Sequence, residues 1–410
     1  SLSFEDGDYN FSINGYIKPT YVYNEMTSIV DGGTINEFNR QFKSKNSVLE
    51  ISGNAKKEKV SFSIRMDYSL SNPLLEAWIG YHPSKSINVY FGQKNSFLNN
   101  REMIFNEDIL QFTDRSLLSQ NHTNSYGQEF GLFIETAFGE EFILSPKFAV
   151  TSGDGRNSFG EDSRDSDLGG VKFGARLDLY PFGNFSKGNE GSVDLVREQK
   201  LIMELGFAYS KNIGTSHRTG NGHGDIMFYD ADGNNNLPDY EKIFIDLLLK
   251  YKGFSLLGEY QSTTSIVPDN ITQRIRNNGT TSPSFLINGE ENTENYINNR
   301  LMLGSAYNLQ LGYMFKNMFS LDARYTHIDS DEFSFLNNGT FYNRPNYYTF
   351  GISKYFSRNY GFKIQAAITY VEVDNNSTYP QQTGDINEPY QNIPFQGSEL
   401  LFRLISSFNF

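Results

Sequence analysis

Alternation constrains this chain more than any other feature. FSINGYIKPTYVY (residues 11–23) sets Phe11, Ile13, Ile17 and Tyr21 against Ser12, Asn14, Lys18 and Thr20, the period-2 pattern of a strand with one apolar and one wet face. About sixteen stretches read this way: 11–23, 46–56, 59–69, 74–83, 87–95, 126–138, 141–153, 168–183, 200–212, 240–253, 254–265, 300–316, 317–330, 341–357, 358–374 and 398–410. Most are long enough to cross a bilayer at a tilt, which takes roughly 9 to 11 residues. No run of about 18 apolar residues exists, so helical spans are excluded. The mean hydropathy of −0.50 agrees with a barrel, in which only alternate strand residues need be apolar.

The connections carry the next step. With the amino terminus periplasmic, the even connections face inward and are brief: KKEK, PSKS, Gly139–Glu140, YKGF, FKNM and YFSRN. The odd ones face outward and include residues 96–125, 154–167, 213–239, 266–299 and 375–397, while the first spans what lies between 23 and 46. Short turns at one end and long loops at the other describe a transmembrane antiparallel β-barrel of about 16 strands. The exceptions are a short outer link, SNPL near Pro73, and a longer inner connector around 184–199. A soluble sandwich would show shorter strands and turns every 8 to 12 residues, roughly. Residues 1–410 are therefore expected to form a single all-β barrel domain of a Gram-negative outer membrane, in contact with lipid and lipopolysaccharide.

Composition narrows the function classes. With Cys 0, disulfide frameworks and thiolate metal sites drop out, and a net charge of −13 argues against nucleic-acid binding, which needs a basic face. Tyr 26 and Phe 35 against Pro 12 suit a strand-rich wall. A chain starting at Ser1 is expected to have lost a signal peptide or to have been trimmed.

Residues 96–125 break the pattern, and the wall is expected to close around them. Arg101, Arg115, Glu102, Glu107, Asp108 and Asp114 are candidates for a pore constriction, because a narrow low-dielectric passage strengthens each charge. The alternative is that they pair with the wall and pin the loop. Arg115 is the foremost candidate for an anion contact, since a guanidinium can bond an anion bidentately.

At this point the chain resembles the Gram-negative phosphate-selective porins of the O and P type, in a version like those of Bacteroidetes. Phe91-Gly92-Gln93-Lys94, Leu110-Gln111-Phe112-Thr113-Asp114-Arg115-Ser116-Leu117, Tyr126-Gly127-Gln128-Glu129-Phe130-Gly131 and Gly170-Val171-Lys172-Phe173-Gly174-Ala175-Arg176-Leu177 carry the resemblance. The terminal Phe410 looks like a barrel-assembly signal. The resemblance implies a homotrimer of sixteen-stranded barrels whose third outer loop folds into the lumen, and an anion such as phosphate as the permeant. The expected pore-lining bases are Lys18, Arg65, Lys94, Lys147, Lys172, Arg176, Lys250, Arg324, Lys363 and Arg403. Set against them are Glu50, Asp67, Glu76, Glu129, Glu135, Asp178, Glu204, Asp246, Glu259, Asp322 and Glu399. The signs roughly cancel, so the residues themselves give no anion ladder.

Two further patterns stand out. In DADGNNNLPDYE (230–241), Asp230, Asp232, Asn234, Asn236 and Glu241 fall at the calcium-loop positions 1, 3, 5, 7 and 12, where alternate oxygen donors can wrap a hard cation. The alternative is an unliganded Asn/Asp turn on an outer loop. The histidines His82, His122, His217, His223 and His327 are scattered, and only His217, His223 and Asp225 could make a hydrolase site. No nucleophile motif accompanies them. The leading expectation is a non-enzymatic porin for passive diffusion of small hydrophilic solutes or ions. The alternatives are a barrel acting as scaffold or subunit of a surface complex with other outer-membrane proteins, and an outer-membrane hydrolase.

Overall fold

The computed structural model describes residues 2–30, 33–55, 58–122, 127–158, 166–167, 170–276, 279–287, 289–336, 344–372 and 397–410. Most of the expected connection 375–397, the start of the strand expected at 341 and the end of the segment 96–125 lie outside them.

Sixteen strands form the wall: β1 (Tyr9–Val30), β2 (Gly33–Ala55), β3 (Val60–Asp67), β4 (Leu74–Ser84), β5 (Ile87–Asn95), β6 (Gln128–Thr136), β7 (Ile143–Thr151), β8 (Lys172–Tyr180), β9 (Ile202–Asn212), β10 (Asp239–Tyr251), β11 (Phe254–Ile266), β12 (Gly304–Met314), β13 (Phe319–Ser330), β14 (Asn346–Tyr355), β15 (Phe362–Glu372) and β16 (Gly397–Asn409). Each pairs antiparallel with its neighbour in chain order. β16 returns to β1 from Tyr16↔Asn409 to Ser28↔Gly397, which closes the sheet. A short strand, Leu2–Asp6, runs beside the start of β1 below that seam. The seam ends on a reciprocal pair between Gly15 and Phe410, with N–H to O distances of 3.1 and 2.9 Å.

Side chains sort as the alternation requires. Ile79, Phe91, Phe148, Leu309, Phe350 and Leu404 are exposed on the outer face, while Ser63, Lys363, Gln365 and Ser407 are buried on the inner one. This is an inside-out protein, apolar outside and polar within. The tight turns obey local rules too. In YKGF, Lys252 (φ 47°) and Gly253 (φ 97°) both take positive φ between the paired Tyr251 and Phe254, the arrangement of a type I′ hairpin whose twist matches its strands.

One boundary expectation is corrected. The first outer connection is no loop: β1 and β2 run on as a hairpin, paired up to Val30↔Gly33. β3 begins its pairing only at Val48↔Asp67, so above Ser47 the hairpin stands beyond the wall on that side. There no apolar medium meets one face alone, and without half-burial the alternation lapses.

Two segments fill the lumen. After β5, residues 96–122 fold inward through α1 (Arg101–Ile104) and α2 (Leu117–His122). From the short-turn end, the connector between β8 and β9 also turns inward, burying Asn189, Ser192, Val193, Asp194 and Leu195. Over the long-loop end the connections make a canopy with its own core of Phe228, Leu237, Ile271, Phe285, Tyr296 and Ile297.

Candidate functional site

The inward loop is clamped by wall residues around most of the ring. Arg101 Nε lies 2.9 Å from Asp246, and its Nη2 lies 2.8 Å from Asp178. It also bonds Glu204, and Arg176 braces the same two aspartates. The Glu102 amide donates to Glu259 at 2.7 Å, while the Glu102 carboxylate takes bonds from Ser116 and Ser119. Lys363 on β15 donates to the carbonyls of Leu110 and Gln111 at 3.1 and 2.6 Å. The Phe112 ring lies under Arg324, 4.7 Å from guanidinium carbon to centroid, and fits because position 351 is glycine: a Cβ there would sit 2.7 Å from the ring. Apolar anchors complete the wedge, with Phe97 and Leu98 against Phe133 and Ala149, and Leu118 against Ala306 and Ile328.

Open space survives on one side. A cavity of about 460 Å³ is lined by residues such as Thr20, Lys43, Lys45, Asp67, Asp114 and Arg403, towards the long-loop end. A second, of about 260 Å³, is lined by Glu50, Ser63, Glu76, Lys94, Glu135 and Lys147, nearer the short turns. Arg65, Asn95 and Asn106 line both. In the upper cavity five cationic side chains, Lys43, Lys45, Arg65, Arg115 and Arg403, face three carboxylates, Asp67, Glu107 and Asp114. The lower cavity is balanced, with three of each sign.

The loop carboxylates are held ionised. Burial alone would raise the Glu107 carboxyl, but Lys18, Lys45 and Arg115 outweigh it and bring it down to about 2. Asp114 is likewise driven well below the usual range, because Arg403, Arg324 and Lys45 overcome its burial. Both keep their charge at neutral pH and are two of the three carboxylates set against the five cations.

The two sequence readings of the constriction charges divide by residue. Arg101 and Glu102 are buried pins, and Asp108 accepts from Asn409 at 3.0 Å. Glu107, Asp114 and Arg115 line the cavity. Arg115 spends its guanidinium largely on the loop itself, reaching Phe105 O at 3.0 Å, Glu107 at 3.3 Å and the Glu102 carbonyl. Of the expected lining bases, Arg65, Lys94, Lys147 and Arg403 face the cavities. The others face inward but are covered. Lys18 donates to the Glu107 carbonyl at 2.8 Å, Lys172 pairs with Glu129, and Arg176, Arg324 and Lys363 lie under the loop; Lys250 holds the Asn189 and Gly191 carbonyls of the β8–β9 connector. Sequence reading missed Lys43 and Lys45, which lie in the hairpin taken for a loop, and it missed Asn106. Lys45 donates to the Thr113 carbonyl at 3.2 Å.

The stretch 228–236 closes as a tight hairpin. The Asp230 carboxylate accepts from the backbone of Asp232 at 3.0 Å and Asn234 at 2.8 Å, and these bonds, led by the Asn234 N–H, lower its pKa. Asn236 bonds Asn270, while Glu241 stands on β10 with Tyr209 at 3.0 Å and Lys211 at 3.5 Å. Asp230 and Glu241 therefore have separate partners, and among the described residues no group of three His, Asp or Glu is arranged to hold a metal.

Of the hydrolase candidates, His217 bonds Thr219 in its own turn at 2.8 Å and Asp225 is exposed. A different relay appears at the inner wall: Ser61 Oγ lies 2.7 Å from His82 Nε2, and His82 Nδ1 lies 2.6 Å from Asn88. Ser61 is paired with Asn54 and Gly80, one residue inside the start of β3.

No protein-family model matches the chain, and no curated protein matches it by sequence. Solved structures do match across its length. An anion-selective porin from Comamonas acidovorans aligns with a TM-score of 0.54 at 12% identity, covering 98% of this chain and 100% of that one. The fold is that of outer-membrane porins. The outer-membrane channel DcaP of Acinetobacter baumannii matches at 0.52 and 10% identity, over 100% of both chains. OmpT of Vibrio cholerae in a trimer form matches at 0.51 and 10% identity, over 98% of this porin-like chain and 100% of that one. Such likeness fixes architecture, and the lumen has to carry the functional argument.

Proposed function

We propose that the chain is a porin of a Gram-negative outer membrane, passing small hydrophilic solutes by passive diffusion and favouring anions, phosphate among them. One observation carries the reading: a barrel of porin fold keeps two adjoining cavities lined by charged side chains beside its inward loop. A unit charge about 4 Å from a permeating ion is worth roughly 4 kcal/mol at an effective dielectric near 20. The cationic excess of the upper cavity is thus large enough to bias entry towards anions. The apolar outer face would meet lipid and lipopolysaccharide, and three copies would assemble as in the trimeric neighbour.

Reconstitution into planar bilayers tests this directly. Stepwise conductance and an anion-side reversal potential in a salt gradient are expected; a bilayer that stays silent overturns the reading. A second reading, a scaffold or subunit of a surface complex, draws on the β1–β2 hairpin. From Gly33 to Ser44 the outer edge of β2 has no strand partner among the described residues, and Phe38 and Phe42 on it are exposed. Such an edge can accept a strand from another chain. A silent bilayer combined with co-purifying outer-membrane proteins, lost on removing residues 24–44, would favour it.

A further inference from the structure

The inward loop hides nearly all of itself. From Ser96 to Ser119, Asn106 is the one exposed residue. Its backbone is extended (φ −65°, ψ 147°) at the start of the single turn Glu107–Ile109, and its side chain caps nothing there. Instead it meets the guanidinium of Arg65 on β3. Arg65 is 6% exposed and held from behind: Nη2 reaches the Tyr16 hydroxyl at 3.2 Å, and Nη1 lies 3.6 Å from Glu76. Its Nε finds no acceptor among the described residues. Asn95, the third residue common to both cavities, spends its amide on the Met103 and Ile104 carbonyls at 3.1 and 2.9 Å. That fixes the loop segment leading to Asn106.

The upper and lower cavities share only Arg65, Asn95 and Asn106 among their lining residues, and two of these three, Arg65 and Asn106, are bonded to each other. Building on the porin reading, we infer that Arg65 and Asn106 are the size- and charge-selecting pair of the channel, one on the wall and one on the loop tip. Every permeant has to pass between a neutral amide and a guanidinium. The amide sets the aperture. The guanidinium offers an anion the donors that the amide gives up as it swings aside, and it repels a cation at the narrowest point. Arg115, the sequence's first choice for this role, is bound up inside the loop, whereas Arg65 turns Nη1 towards Asn106.

The full-length protein in planar bilayers tests the inference. Asn106 belongs to no core, so its variants leave the wall intact. Asn106→Ala is expected to raise unitary conductance, and Asn106→Trp to cut it about twofold or more by filling the constriction. The chain has no native cysteine, so Asn106→Cys can be treated with a negatively charged methanethiosulfonate reagent, which should block the current within the recording. Arg65→Gln should move the reversal potential away from the anion side. A wild-type protein without channels would defeat the porin reading itself. Wild-type channels left unchanged by both Asn106→Trp and the thiol reagent would overturn the inference and send the path elsewhere in the lumen.

Discussion

Arg101 on the inward loop and Asp178 on β8 meet at 2.8 Å, with both side chains almost wholly shielded from solvent. Around them Arg176 and Lys147 also face Asp178, and Glu204 and Asp246 share Arg101. A buried network of this kind is costly to break from one side, because the remaining charges keep their desolvation penalty and lose their compensation. Arg101→Ala should therefore destabilise the fold by about 3–5 kcal/mol, read as a lower denaturation midpoint on heat-modifiable electrophoresis. It should also give noisier currents, since the loop loses its deepest pin. An unchanged midpoint would mean that the apolar anchors hold the loop alone.

Acid should reach the loop late. Glu107 has a pKa of about 2 in place of its ordinary 4.5, set by Lys18, Lys45 and Arg115 against its burial. A lowered value means that folding favours the charged form. The contribution is thus complete above about 4.5 and is lost as pH falls through about 2. Thermal midpoints of the wild type and Glu107→Gln, compared from pH 7 to 2, should differ most at neutral pH and converge below 4.5. A constant difference across that window would assign the effect to packing instead of charge.

Alternation revealed the wall because each strand is half-buried, and inward-facing bases such as Lys363 and Arg403 were legible from that alone. What covers them was not. Lys363 is capped by the Leu110 and Gln111 carbonyls, while Arg403, farther along the adjacent strand β16, borders a cavity. That difference depends on where a distant loop comes to rest, which no local pattern records. Asn106 was silent for another reason: it is neutral, and a search for charges passes over an amide. The loop's carboxylates and arginines read as one constriction set, yet burial divides them into pins and lining.

The calcium proposal for 230–241 now has a structural condition attached. The Asp230 carboxylate can keep its backbone N–H bonds and still offer lone pairs to a cation, but Glu241 would have to leave Lys211 and Tyr209. Calcium binding by the full set should consequently come with a moved Glu241 side chain. It would be seen as a chelator-reversible rise in melting temperature, abolished by Asp230→Ala. Metal analysis finding no bound calcium at millimolar supply ends the proposal.

The connector between β8 and β9 packs into one side of the lumen from the short-turn end. Lys250 grips its Asn189 and Gly191 carbonyls, and Asp194 accepts the Gly253 N–H at the β10–β11 turn. Val193 and Leu195 pack on Met314, Tyr355 and Tyr360. The connector also meets the loop from below: the Ser192 N–H reaches the Ile109 carbonyl at 3.2 Å, and the Gln111 N–H donates to Ser192 Oγ at 2.6 Å. Replacing residues 187–197 with a short Gly/Ser turn should open a second route under the loop, because Arg101 and Lys363 still clamp the loop to the wall. Unitary conductance should rise, and liposome swelling should admit sugars that the wild type excludes. Leu195→Ala should cost about 2–5 kcal/mol of stability while leaving the loop's wall bonds in place. If the shortened protein conducts like the wild type, the loop closes that half of the barrel unaided, and the connector serves stability alone.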